Sequence, residues 1–102
     1  MNIPFDGAAL APSCQKYHVK ELSLFGSVLR ADFTQDSDMD VLVEYDLDAA
    51  PGISHFAFME ELSAFFGGRD VDLTIKKNLK PGYRQEILAN REVVYVKSHF
   101  SA

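Results

Sequence analysis

Apolar and polar residues alternate most clearly over residues 38–45 of this chain. Side chains two apart in a strand point the same way, so the pattern predicts a strand with one apolar face and one acidic face. The apolar face comprises Met39, Val41, Val43 and Tyr45. The other face carries Asp38, Asp40, Leu42 and Glu44.

The rest of the chain alternates between short strand patterns and helical patterns. Further strands are predicted at residues 21–25, 71–75 and 93–96. Helices are predicted at residues 7–17, after Pro51-Gly52 up to Phe66, and at residues 81–89, and a short helix at 28–32 follows the Gly26-Ser27 turn. Proline is costly inside a helix, so the first helix begins at Pro12 if the proline is not tolerated. Alternating helices and strands indicate an α/β or α+β fold.

Bulk properties limit the classes of function. The 102 residues suffice for one small domain, predicted to span residues 1–102. A net charge of −5 argues against broad binding to nucleic acid, which relies on neutralising phosphates. A single cysteine, together with the absence of a signal-like or membrane-spanning apolar run, favours the cytoplasm.

Two carboxylates stand at a fixed distance after a Gly-Ser pair. Ten residues separate Gly26-Ser27 from Asp38-Met39-Asp40, a combination expected by chance in roughly one such chain in a thousand. Asp38 and Asp40 project side by side and repel unless a cation lies between them. Oxygen ligands favour Mg²⁺, Mn²⁺ or Ca²⁺, and Mg²⁺ combines one or two carboxylates with substrate phosphates. A solvated strand end is the competing interpretation.

The Gly26-Ser27 turn suits a phosphate. Glycine allows an anion to approach the backbone, and a helix that starts there directs free N–H groups at it, with the Ser27 hydroxyl as a further donor. Arg30, one turn on, either contacts the phosphates or pairs with a surface acid. A strand-to-helix turn capped by serine explains Gly26-Ser27 without any ligand.

A third acid lies on a later predicted strand. Val71 and Leu73 look like core residues, which puts Asp72 on the opposite face, as Asp40 lies opposite Met39. If the two strands are neighbours, three carboxylates converge. Asp70 shares the face of Asp72 and remains an alternative.

These motifs resemble the signature of the DNA polymerase beta-like nucleotidyltransferase superfamily, and in particular its minimal nucleotidyltransferase (MNT) branch. The resemblance covers roughly residues 21–96 and is most specific over 26–43. It implies a small mixed sheet backed by helices, a triphosphate held by Gly26 and Ser27, and two Mg²⁺ ions held by Asp38, Asp40 and Asp72. MNT proteins are often antitoxins of HEPN toxins, which implies transfer of AMP from ATP to a toxin tyrosine.

Three functions are compatible with the sequence. The first is an active adenylyltransferase that modifies a protein. The second is a non-catalytic antitoxin that neutralises its partner by contact, for which three converging acids are unnecessary. The third, modification of a small molecule such as an aminoglycoside, is disfavoured because no second domain is available to enclose the acceptor. An oligomer is compatible with the small size and the apolar helix.

Overall fold

The computed structural model describes residues 7–29, 34, 37–46 and 53–97. Its helices are α1 (Gly7–Lys16), α2 (Ile53–Phe65) and α3 (Pro81–Asn90), and its strands are β1 (Val19–Phe25), β2 (Met39–Tyr45), β3 (Val71–Ile75) and β4 (Glu92–Val96). Short 3₁₀ turns, at Gly26–Leu29 and Lys76–Asn78, follow β1 and β3. Several predicted features lie outside the described residues: Arg30, the end of the predicted helix at 30–32, and Pro51-Gly52.

The four strands form one mixed sheet in the order β3-β2-β1-β4. β1 is antiparallel to both β2 and β4, whereas β2 and β3 run parallel. Parallel strands need a crossover connection, and α2 lies within the segment that joins β2 to β3. The predicted α/β architecture with a small mixed sheet and helices is therefore confirmed.

Several predicted boundaries were wrong by a few residues. β2 begins at Met39, so Asp38 lies just before the strand and not in it. The Gly-Ser segment is itself a 3₁₀ turn with Ser27 as its second residue, so Ser27 does not precede a helix as a cap. The helix start predicted at Gly7 is confirmed, whereas the alternative start at Pro12 is wrong. Pro12 lies within α1 and is exposed, on the side of the helix away from the buried residues Leu10 and Cys14.

One face of the sheet is packed against α1 and α2. The core cluster comprises Leu10, Cys14, Val19, Leu22, Leu24, Met39, Val41, Val43, Phe58, Leu62, Phe66 and Leu73. Phe58 and Leu62 are one helical turn apart on α2, so both face the sheet, as their helical spacing predicted. Full burial of one such side chain contributes about 1.5–3 kcal/mol.

A carboxylate joins the two packed helices. Glu61 of α2 accepts hydrogen bonds from Ser13 and Lys16 of α1 and from Tyr17, which follows α1 directly. The hydrogen bonds from Tyr17 and Lys16 hold the pKa of the Glu61 carboxyl below its ordinary value. The contact fixes α1 against α2 at the rim of the core.

The other face of the sheet carries charges that balance each other at one end. Glu21 of β1 and Glu44 of β2 are cross-strand partners, a like-charge pairing that is destabilising by itself. Lys76 Nζ lies 3.8 Å from Glu21 Oε1 and 3.4 Å from Glu44 Oε1, and Arg91 also pairs with Glu21. Lys76 therefore forms ion pairs within the chain, whereas Lys77 and Lys80 are exposed.

β4 forms one edge of the sheet and is irregular. Its pairing with β1 shifts between Leu22 and Ser23, which leaves Val94 as the extra residue of a bulge. Val94 and its neighbour Tyr95 both pack against the core, while Val93 and Val96 are 42% and 59% exposed. The bulge allows two consecutive side chains to reach the core.

Within the described part of the chain, no helix has the length and apolar character needed to cross a membrane.

The buried thiol of Cys14 gives a direct test of the packing between α1 and the sheet. Cys14 is fully buried, and burial raises the pKa of its thiol from 9.0 to about 12. The reactive thiolate is therefore scarce at pH 8, and we expect the native protein not to react with a thiol-specific reagent. Colour release from a disulfide reagent measures this. Rapid reaction without denaturant would show that Cys14 is not buried between α1 and the sheet.

Candidate active site

The register of the two parallel strands brings two acids together. Asp40 of β2 is the partner of Asp72 of β3, and neighbouring strands lie about 4.8 Å apart. Met39 and Val41 of β2 and Leu73 of β3 belong to the core, so Asp40 and Asp72 stand on the opposite face. The predicted convergence of the acids required the two strands to be neighbours, and in the structure they are.

The turn after β1 lies directly against one of these acids. Gly26 has a φ of +70°, and a Cβ atom built there would stand 2.3 Å from Oδ2 of Asp40. The backbone and the close approach both require glycine at this position. Phe25, the residue before the turn, is the cross-strand partner of Asp40. The candidate phosphate turn and the candidate catalytic acid are thus in contact.

Asp38 and Asp70 lie just before the two strands. The backbone N–H of Met39 donates to the carbonyl oxygen of Asp70 at 2.9 Å, as expected for the parallel pairing of Met39 with Val71. Asp38, Asp70 and Asp72 are all exposed, so exposure does not separate the candidate acids. Because Asp72 is the partner of Asp40 and Asp70 precedes β3, the register favours Asp72 as the third acid.

Arg69 holds the segment before β2 in place, a role that the sequence analysis missed. Its Nη1 donates to the carbonyl oxygens of Thr34 at 2.6 Å and Ser37 at 3.2 Å. Ser63 of α2 in turn donates to the carbonyl oxygen of Arg69 at 2.6 Å. Arg69 therefore connects α2 to the residues that lead into Asp38. The one sequence signal is an arginine directly before Asp70-Val71-Asp72.

The candidate carboxylates have the chemistry that a Mg²⁺ site requires, but their side chains are not arranged as the ligands of a bound ion. All candidate donors are oxygens, as this ion prefers. Among the described residues, however, no three acidic, histidine or cysteine side chains are arranged to hold a metal ion. The structure brings together Gly26, Asp40 and Asp72, and leaves Asp38 at the entrance to β2.

A cavity of about 440 Å³ opens beside the turn. Its described lining residues come from the end of β1, the 3₁₀ turn and the second half of α3: Phe25, Gly26, Leu29, Glu86, Ile87 and Asn90. Gly26 therefore borders both the cavity and the Asp40 carboxylate. This cavity could not be predicted from sequence patterns, because the segments that line it, residues 25–29 and 86–90, are distant in sequence.

A glycine turn against paired strand carboxylates suits a nucleotide held through its phosphates and a divalent cation. Comparison with known proteins agrees: the model of the family described as polymerase beta, nucleotidyltransferase matches residues 9–100. The chain belongs to this family, which confirms the family and the class of enzyme predicted from the motif.

Individual relatives give a consistent result. The protein adenylyltransferase MntA of Thermococcus cleftensis is 39% identical over 82 residues, which cover 80% of this chain and 79% of the relative. Two solved structures share the fold. A toxin–antitoxin structure with AMP-PNP has a TM-score of 0.71 at 17% identity, covering 92% of this chain and 76% of the matched chain. A structure of the tri-AMPylated HEPN toxin of Shewanella oneidensis in complex with MNT antitoxin has a TM-score of 0.63 at 16% identity, covering 89% and 70%.

Replacing Gly26 by alanine tests the contact with Asp40. The new methyl group would displace the carboxylate and strain a backbone at positive φ, so we expect Gly26→Ala to lower the free energy of unfolding by about 1 kcal/mol or more. Gly82→Ala is the control: it lies in α3, its Cβ meets nothing within 4 Å, and alanine there should be neutral or stabilising. Denaturant unfolding of both variants measures the difference. Equal stabilities would refute the close approach.

Proposed function

We propose that this protein is a Mg²⁺-dependent adenylyltransferase that transfers AMP from ATP to a hydroxyl group of a protein partner. The observation that carries the proposal is the register that sets Asp40 beside Asp72, with Gly26 against Asp40. Two adjacent carboxylates on a strand face supply the oxygen ligands that a divalent cation such as Mg²⁺ prefers. A backbone turn at the same point suits the phosphates that accompany such a cation.

Gly26 and Ser27 bind the triphosphate in this proposal. The absence of a side chain at Gly26 lets phosphate oxygens approach the backbone, and the Ser27 N–H and hydroxyl donate to them. Arg30 contributes positive charge to the same phosphates. Arg30 lies outside the described residues, so this role is supported by the resemblance and by its position three residues after Ser27.

Asp38, Asp40 and Asp72 are the proposed ligands of Mg²⁺, with two ions expected. The donor set fits the ion in its chemistry, and Asp40 and Asp72 fit it in their strand register. Bound Mg²⁺ supplies a Lewis acid that lowers the pKa of the acceptor hydroxyl and neutralises charge on the pyrophosphate leaving group. Arg69 is a positioning residue that fixes the backbone leading into Asp38.

The transfer reaction balances with the groups named. The acceptor oxygen forms a bond to the α-phosphorus of ATP, while the bond from that phosphorus to the pyrophosphate oxygen breaks. Asp72 takes the proton of the acceptor hydroxyl. The products are the adenylylated acceptor and pyrophosphate.

The proposed acceptor is a tyrosine hydroxyl on a HEPN-type toxin, so the chain acts as an antitoxin. Support comes from the relative named protein adenylyltransferase and from the fold shared with an MNT antitoxin in complex with an AMPylated toxin. Acceptor and activity then belong in the cytoplasm, where ATP is available and the single thiol of Cys14 stays reduced.

The proposal is tested by intact mass of the protein and its co-purified HEPN-type partner after incubation with ATP and Mg²⁺. We expect the partner to gain one or more AMP units, and chelation of the metal to prevent the gain. Asp40→Asn and Asp72→Asn should slow the transfer by about a hundredfold or more, the scale of losing one electrostatic stabiliser from an active site.

Asp70→Asn is the matched control, because it removes an equal charge from an exposed neighbour just before the same strand. It should retain most of the activity. Loss of transfer in Asp70→Asn but not in Asp72→Asn would reassign the third acid. A partner that stays bound but gains no AMP would support neutralisation by contact instead.

A further inference from the structure

The cavity beside Gly26 has walls suited to a flat aromatic ligand. Phe25, Leu29 and Ile87 supply apolar surface, and Glu86 and Asn90 add polar groups from α3. Its volume of about 440 Å³ falls within the range of sites that bind small organic molecules. An aromatic wall stacks on the face of a nucleic-acid base, and a few polar groups then contact the edge of that base.

We propose that this cavity holds the base of the nucleotide, and that Asn90 contributes to the choice of adenine. The inference rests on the proposed function, since it places one part of the same ATP. Gly26 connects the two sites: it touches the Asp40 carboxylate on one side and lines the cavity on the other. Triphosphate at the turn and base in the cavity are therefore neighbours.

The lining residues distinguish the base from the acceptor as occupant. The acceptor hydroxyl must reach the acids, where the proton leaves and the new bond forms. None of the described residues that line the cavity is Asp38, Asp40 or Asp72. The ribose separates the base from the α-phosphorus. The base is therefore the part of the substrate that is expected near the acids without contacting them.

Asn90 is held in a position to contact the edge of a base. It is the last residue of α3, and its Nδ2 donates to the carbonyl oxygen of Glu86 at 2.8 Å, which orients the amide. The amide oxygen accepts a hydrogen bond from an amino group such as N6 of adenine. Guanine carries a carbonyl oxygen at the corresponding position, so the same contact would be repulsive.

Filling the cavity tests the proposal. Calorimetry in Mg²⁺ would measure binding of ATP and of inorganic tripolyphosphate, which lacks base and ribose, to the Ile87→Trp variant. We expect about tenfold weaker ATP binding or more, the scale of a lost stacking contact, and unchanged tripolyphosphate binding. Ala89→Trp is the control, since it puts the same side chain at an exposed position of α3 that does not line the cavity.

A second variant keeps the test decisive if Ile87→Trp does not fold. Asn90→Ala should lower the preference for ATP over GTP several-fold, while Gln85→Ala, an exposed position of the same helix, should leave it unchanged. If both cavity variants bind ATP as tightly as the unaltered protein and keep its preference for ATP over GTP, the proposed base site is wrong. The proposed function would not be affected by that result. Failure of the unaltered protein to bind ATP or tripolyphosphate at all would overturn the proposed function with it.

Discussion

The close approach of Gly26 to Asp40 is the constraint on which the candidate site depends. The carboxylate occupies the space that a Cβ atom would need, and the backbone takes a left-handed conformation that turns the chain away from β1. That turn produces one wall of the cavity and lies directly beside one of the paired acids. A Cβ atom added at position 26 would disturb the turn, the acid and the cavity together, because all three meet at this residue.

The face opposite the core carries two acid pairs, which lie at different ends of β2. Glu21 and Glu44 are balanced by Lys76 and Arg91 within the chain, so their charges hold β1, β2 and the segments after β3 and α3 together. The pair of Asp40 and Asp72 lies about 13 Å along β2 from Glu44, beside the glycine turn. In the proposed function, Mg²⁺ binds at that end of the sheet. The sheet thus separates a structural charge cluster from a candidate catalytic one.

Much of the fold followed from the alternation of side chains, because burial on one face of a strand imposes a period of two. That period placed Asp72 opposite Leu73 and Asp40 opposite Met39, and both placements hold. It could not reveal that β2 and β3 are neighbours, since periodicity describes the faces of a strand and not its partners. The ion pairs of Lys76, the hydrogen bonds of Arg69 and the cavity wall from α3 were out of reach for the same reason: each joins residues distant in sequence.

The bulge in β4 has a consequence for how copies of this chain behave towards each other. An edge strand with exposed valines at positions 93 and 96 offers a template on which another chain can add a strand, the first step towards fibrous aggregates. The extra residue at Val94 breaks the regular spacing of donors and acceptors along that edge. The irregular backbone of β4 therefore disfavours aggregation through this edge, although the edge strand carries exposed apolar residues.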